Sequence, residues 1–100
     1  MKAIFSSLAL ALATMPAQAA LSDFYDSAEQ IDTILSSEAV ADALRRAPIG
    51  HIANTGTRAD GAREWQVRTQ ECDLTVYLKP APPEGVGKTA YELELGEACP

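Results

Sequence analysis

Only one of the 100 residues is a histidine and only two are cysteines. A metal centre therefore cannot be built from a His-x-x-x-His pair or a Cys-rich cluster. His51 would have to recruit carboxylates, and its plainer reading is a half-exposed strand residue. No metal ligand and no cofactor site is expected. Basic residues are also scarce, eight Lys and Arg against fourteen Asp and Glu. That balance excludes a basic nucleic-acid footprint and binding to anionic membrane surfaces. No Cys-x-x-Cys is present, which argues against a redox-active pair. No Gly-x-Ser-x-Gly context surrounds any serine that His51 could serve. Glu92 and Glu94 lie two apart on one strand face, which is how a solvated face reads, so no acid–base pair is assigned. No catalytic residue emerges, and the expectation is a non-enzymatic protein. Internal repeats and low-complexity tracts are absent too.

Gly85-Val86-Gly87-Lys88-Thr89 superficially suggests a phosphate loop. That motif requires glycine where this chain has Pro82, a strand before it and a helix after it. A proline-rich stretch precedes and strand-like sequence follows. The segment from Pro80 to Lys88 is therefore read as a hairpin loop stiffened by Pro80, Pro82 and Pro83.

What the chain does have begins at its first residues. Lys2 gives a positive start, a largely apolar run follows from Ala3 to Ala13, and Ala17-Gln18-Ala19 closes it with small residues. This pattern predicts a cleavable secretory signal over 1–19, cut after Ala19. The run is shorter than the roughly 20 apolar residues that span a bilayer, and no later run is longer. No cysteine precedes Cys72, which closes the lipid-anchor route. Cleavage would leave 20–100 as a single small α+β domain in the periplasm or outside the cell. Removing Lys2 takes the formal net charge from −6 to −7. Such acidity keeps a small exported domain soluble and suits a basic partner.

A domain this small buries a limited core and commonly needs a staple. Cys72 and Cys99, in an oxidising compartment, are expected to supply it as a structural disulfide. Their long loop predicts roughly 3–4 kcal/mol of stabilisation in the chain-entropy account.

Residues 22 to 47 read as helical. Phe24, Ala28, Ile31, Ile34 and Leu35 recur at three- and four-residue steps, as do Val40, Ala43, Leu44 and Ala47. Ser22 with Asp23, or Asp26 with Ser27, would cap the start, and Ser27 with Gln30 would suit a capping box. Arg45 and Arg46 suit a helix C-terminus, and Pro48 stops continuation. Ser36-Ser37 interrupts the stripe. One helix with a weak middle would fit; two short helices joined near Ser36-Ser37 fit better.

Residues 49 to 98 read as strands. Trp65, Val67 and Thr69 share odd parity; Cys72, Leu74, Val76 and Leu78 share even parity. Strand side chains alternate with period two, so a turn or a bulge must intervene. Gln-Glu is poor turn chemistry, which leaves room for a bulged or slightly longer turn. The simplest solution is a tight turn at Gln70-Glu71. It pairs Thr69 with Cys72, Val67 with Leu74, Trp65 with Val76, and Arg68 with Asp73. Asp60-Gly61 predicts another hairpin. A two-residue turn there sets Gly56 opposite Trp65, Asn54 opposite Val67 and Ile52 opposite Thr69, leaving Asn54 on a buried face in need of partners. Placing Cys72 opposite Cys99 sets Val76 against Leu95, Leu78 against Leu93 and Lys79 against Glu92. Directly opposed strand residues stand roughly 5.5 Å apart, the spacing a disulfide needs. Glu97 opposite Leu74 is the one poor match.

The expected fold is α+β, with one or two N-terminal helices packed on one face of a four-stranded antiparallel meander. The buried face holds Ile52, Trp65, Val67, Leu74, Val76, Leu78, Tyr91, Leu93 and Leu95. The outer face offers a candidate partner surface at Arg68, Asp73, Tyr77, Lys79, Glu92 and Glu94. The arrangement is similar in architecture to small secreted inhibitor and envelope-assembly modules. The function expected is a small exported accessory or inhibitor-like module that binds another envelope or secreted protein. The alternative is a small-ligand carrier or minor enzyme, with a pocket between helices and sheet near Tyr91, Trp65 and Asn54.

Overall fold

The computed structural model describes residues 22–81, 87–97 and 99. The leader expected at 1–19 lies outside them. Helix α1 (Asp23–Leu35) and helix α2 (Glu38–Ala43) precede strands β1 (His51–Thr57), β2 (Arg63–Arg68), β3 (Asp73–Ala81) and β4 (Ala90–Leu95). The strands form one antiparallel sheet in the order β1-β2-β3-β4. The expected α+β arrangement is therefore the one observed, and it has two helices.

Each helix is started by a serine. The Ser22 hydroxyl accepts from the Tyr25 N–H at 3.5 Å, and the Ser37 hydroxyl accepts from the Val40 N–H at 3.2 Å. Both satisfy amides that have no partner within the first turn. Ser27 lies inside α1, so the Ser27–Gln30 capping box does not form. Helix α2 stops at Ala43, short of the expected 47. There Arg45 N–H donates to Asp42 C=O (3.0 Å) and Arg46 N–H to Ala41 C=O (2.9 Å), closing the helix end. Arg45 and Arg46 take left-handed backbone at φ 55° and 57°. They thus lie past the helix, not in its last turn, and Arg46 reaches back to Glu38 and Asp42 at 3.0 and 2.9 Å.

The helical face differs from the expected stripe. Gln30 and Ile34 are the buried positions of α1, while Phe24 is 73% and Leu35 54% exposed. The inward arc runs Asp26, Gln30, Ile34, at four-residue steps. The helix is rotated toward its buried hydrogen bonds, and Phe24 stacks edge-on against Tyr25 instead.

Two of the three expected registers hold. Strand β2 pairs Val67 with Leu74, Trp65 with Val76 and Arg68 with Asp73, and Thr69 N–H donates to Cys72 C=O at 2.9 Å across the turn. Strand β3 pairs Val76 with Leu95, Leu78 with Leu93 and Lys79 with Glu92. The ladder stops at Leu95, before Glu97 would have to face Leu74. Cys72 and Cys99 are joined, their Cα atoms 5.5 Å apart.

The β1–β2 register is corrected. Ile52 faces Val67 and Asn54 faces Trp65, two places from the expected pairing. The turn spans three residues: Arg58 N–H donates to Ala62 C=O and Gly61 N–H to Arg58 C=O. Gly61 supplies the left-handed conformation, φ 91°, that closes such a loop. A register shift between Asn54 and Gly56 adds the second displacement. Two one-residue shifts cancel in parity, so Ile52 still points to the core face. Asn54, however, is exposed, not buried.

The expected loop from Pro80 is also corrected. Strand β3 continues to Ala81, with Pro80 opposite Tyr91. Strand β2 begins at Arg63 opposite Leu78, so its ladder has ended before Pro80, whose missing N–H is tolerated there.

The core comprises Ile34, Val40 and Leu44 from the helical side and Trp65, Val67, Leu74, Val76 and Leu78 from the sheet. Ile52, Tyr91, Leu93 and Leu95 pack against it partly buried, as do both cysteines.

Candidate functional site

Two candidate regions stand out, one on each side of the sheet. On the outer face stand the six residues expected there. Arg68 Nε donates to Asp73 Oδ1 at 2.7 Å, across the β2–β3 ladder. That bond is the main cause that holds the Asp73 carboxyl below the usual range. Tyr77 lies opposite Glu94, and Lys79 opposite Glu92. The structure thus brings Tyr77, Lys79, Glu92 and Glu94 together toward one end, with the Arg68–Asp73 pair at the other.

The centre of this face is a residue that the sequence reading missed. The Arg58 guanidinium lies 4.3 Å above the centre of the Tyr77 ring. It donates to Asp60 at 2.8 and 3.0 Å and to Glu94 at two distances of 3.2 Å. Arg58 thereby straps the β1–β2 hairpin across to β4. Its bonds hold the carboxyls of Asp60 and Glu94 below their ordinary values, and the same bonds raise the guanidinium's own. The face therefore presents an arginine fixed between two carboxylates, with the phenol ring beneath it. Gly96 permits this close layering: a Cβ there would meet Thr75 O at 3.0 Å and Tyr77 Cε2 at 3.1 Å. The available sequence signal was Arg58-x-Asp60 beside a hairpin turn, a spacing that suits local pairing.

On the inner side, a cleft of about 320 Å³ opens between the start of α1 and the β1–β2 end of the sheet. Asp23, Asp26, Gln30, Asn54, Arg63 and Trp65 line it, with Tyr91 bonded to Asp26. Of the three residues around which a pocket was expected, Trp65 and Asn54 line this cleft and Tyr91 does not; the lining is polar, where a carrier pocket was expected to be mainly apolar. Trp65 Nε1 donates to Gln30 Oε1 at 2.8 Å. Gln30 Nε2 donates to Asp26 at 3.1 Å and lies 3.3 Å from the Tyr91 hydroxyl, which donates to Asp26 at 2.8–2.9 Å. Burial, then the bonded Asp26 carboxylate, raise the Tyr91 hydroxyl above its ordinary value. Arg63 Nε is shut off from solvent without a hydrogen-bond partner. The signal for this cluster was present in the spacing: Asp26 and Gln30 share the face of Ile34.

A larger groove of about 620 Å³ lies at the other end of the sheet, between the α2–β1 linker and the β2–β3 turn. His51 and Arg68 line it, and Arg68 is already engaged by Asp73. Among the described residues no group of three or more His, Cys, Asp and Glu side chains is placed to hold a metal ion. No helix among them is long and apolar enough to cross a membrane. Behind Lys88 stands β4, not a helix N-terminus, and Lys88 pairs with Glu29 at 2.6 Å. Comparison with protein families, curated proteins and solved structures finds no match to this chain, so its two candidate surfaces rest on their own geometry.

Proposed function

We propose that this protein is a small exported binding or accessory module that engages a partner protein through the outer face of its sheet, without catalysis. The leader pattern at 1–19 addresses it to the periplasm or beyond, and the Cys72–Cys99 bond is compatible with an oxidising compartment. The observation that carries the reading is the Arg58 strap. Both helices pack on the opposite face, and the exposed one carries side chains already fixed: Arg58 over Tyr77 between Asp60 and Glu94, and Arg68 on Asp73. Binding by groups ordered in advance costs less conformational entropy. The acidic balance favours a partner with a basic patch, steered by charge.

The test is capture from periplasmic extract by the immobilised, disulfide-bonded protein. The native protein should retain a partner at about 0.05 M salt and lose it near 0.5 M. A double exchange, Glu92→Lys with Glu94→Lys, should abolish retention, and Ala28→Ser on the helical side should not. Retention insensitive to the outer-face change, or no retention at any salt, overturns the reading.

A further inference from the structure

We propose that the inner cleft binds a small zwitterion of the α-amino-acid class, with its ammonium toward Asp23 and Asp26 and its carboxylate toward Arg63. This goes beyond the outer-face reading and uses the opposite side of the sheet. The walls come from three places. The first turn of α1 supplies Asp23, Asp26 and Ser27, β1 supplies Asn54 and Thr57, and β2 supplies Arg63 and Trp65. Two carboxylates thus line the same cleft as one guanidinium. The Arg63 guanidinium already engages the Tyr91 hydroxyl, but its Nε has no acceptor. A simple cation would leave that donor unanswered, a simple anion would meet the carboxylates, and a zwitterion answers both.

The bonds inside the cleft separate its frame from its free capacity. Gln30 is engaged at both ends of its amide, by Trp65 and by Asp26 with Tyr91, so it is frame. Asp26 accepts from Tyr91 and Gln30, yet a carboxylate has about four acceptor positions. Asp23 is exposed at the mouth. Arg63 has a buried Nε donor with no acceptor, a state that folded proteins rarely leave standing. A ligand carboxylate that draws the guanidinium toward the cleft would give that donor its acceptor. The volume, about 320 Å³, sits at the small end of ligand sites. The lining is hydroxyl, amide and charge, which selects a polar molecule.

Trp65, the single tryptophan, forms one wall with its indole N–H bonded to Gln30. Its indole resonance and its fluorescence therefore report on occupancy. The probes are L-serine, L-glutamate and L-lysine, with methylamine and acetate as half-ligands. At least one amino acid should move the Trp65 signal saturably, and each half-ligand should bind at least about tenfold more weakly. Asp23→Asn and Arg63→Gln should each weaken the amino acid by about tenfold. Asp23 is exposed, so its variant keeps the test decisive if Arg63→Gln does not fold. No response to any of the three amino acids up to about 20 mM, weaker than any useful affinity, overturns the proposal. So does methylamine or acetate binding as tightly as the amino acids, or binding unchanged in Asp23→Asn.

Discussion

Gln30 is a polar side chain only 5% exposed, in a helix whose neighbours Ile31 and Ile34 pack on the core. It is tolerated because its carbonyl accepts from Trp65 and its amide donates to Asp26. Replacing it leaves a buried indole N–H without an acceptor, and losing such a partner costs about 1–3 kcal/mol before any cavity is counted. Gln30→Ala should therefore destabilise by about 2–4 kcal/mol, read by urea unfolding followed through Trp65 fluorescence. A shift within experimental error would mean the Gln30 bonds are replaced by water at no cost. Arg58 makes a different prediction, one of pH. Its bonds depress the Asp60 and Glu94 carboxyls in the folded state. Groups with depressed folded values contribute stability that is present above their unfolded values, roughly pH 4, and lost as pH falls through the folded ones. Wild type should thus lose thermal stability on acidification from about pH 5 to pH 2, and Arg58→Gln should show a flatter profile that meets it at the acid end. Parallel profiles would refute the strap. At this scale the directly opposed Arg68–Asp73 pair was legible, because strand parity fixes who stands opposite whom. Arg58–Glu94 was not, because it joins residues thirty-six apart, through a hairpin whose approach to the outer face no local pattern encodes.

The β1–β2 hairpin shows how an element can be read correctly for its face and wrongly for its register. Inward and outward assignment depends only on parity, which the apolar pattern of Trp65, Val67 and Ile52 makes visible. Register depends on loop length and bulges, and a three-residue loop plus the shift at Asn54/Gly56 moved it by two places. The β2–β3 and β3–β4 ladders carried more information: paired apolar runs, an opposite-charge pair in each, and the two cysteines. In α1 the apolar period alone misplaced the helix face, since Gln30 is held inward by hydrogen bonds that hydropathy does not register. The hairpin supports a prediction of its own. Gly61 sits at φ 91° with nothing within 4 Å of where a Cβ would lie, so a side chain there meets strain and no clash. Gly61→Ala should cost about 1–2 kcal/mol, the penalty of left-handed backbone for an L-residue. Its far-ultraviolet spectrum should match the native one. An unchanged melting temperature would show that the loop adopts another turn without loss.

For the molecule as a whole, the disulfide joins the start of β3 to the segment beyond β4, near the end of α2, where Cys72 and Cys99 line a small hollow with Ala43 and Leu44. It thus closes the end of the sheet opposite the polar cleft. The β3–β4 register places Val76 against Leu95 and Leu78 against Leu93, so apolar packing alone already specifies how these strands align. The bond therefore adds stability to a topology that does not depend on it. Cys72→Ser with Cys99→Ser should lower the free energy of unfolding by about 3–4 kcal/mol, the loop-entropy value for this separation. Small domains have only about 5–15 kcal/mol in total, so the variant should unfold at a much lower urea concentration. Its folded fraction should still protect the amides of Val76 and Leu95 from hydrogen exchange, because the ladder remains. Loss of that protection under native conditions would show that the disulfide sets the register as well as holding it. Two free thiols found by mass spectrometry in the protein isolated from its host cells would remove the staple altogether.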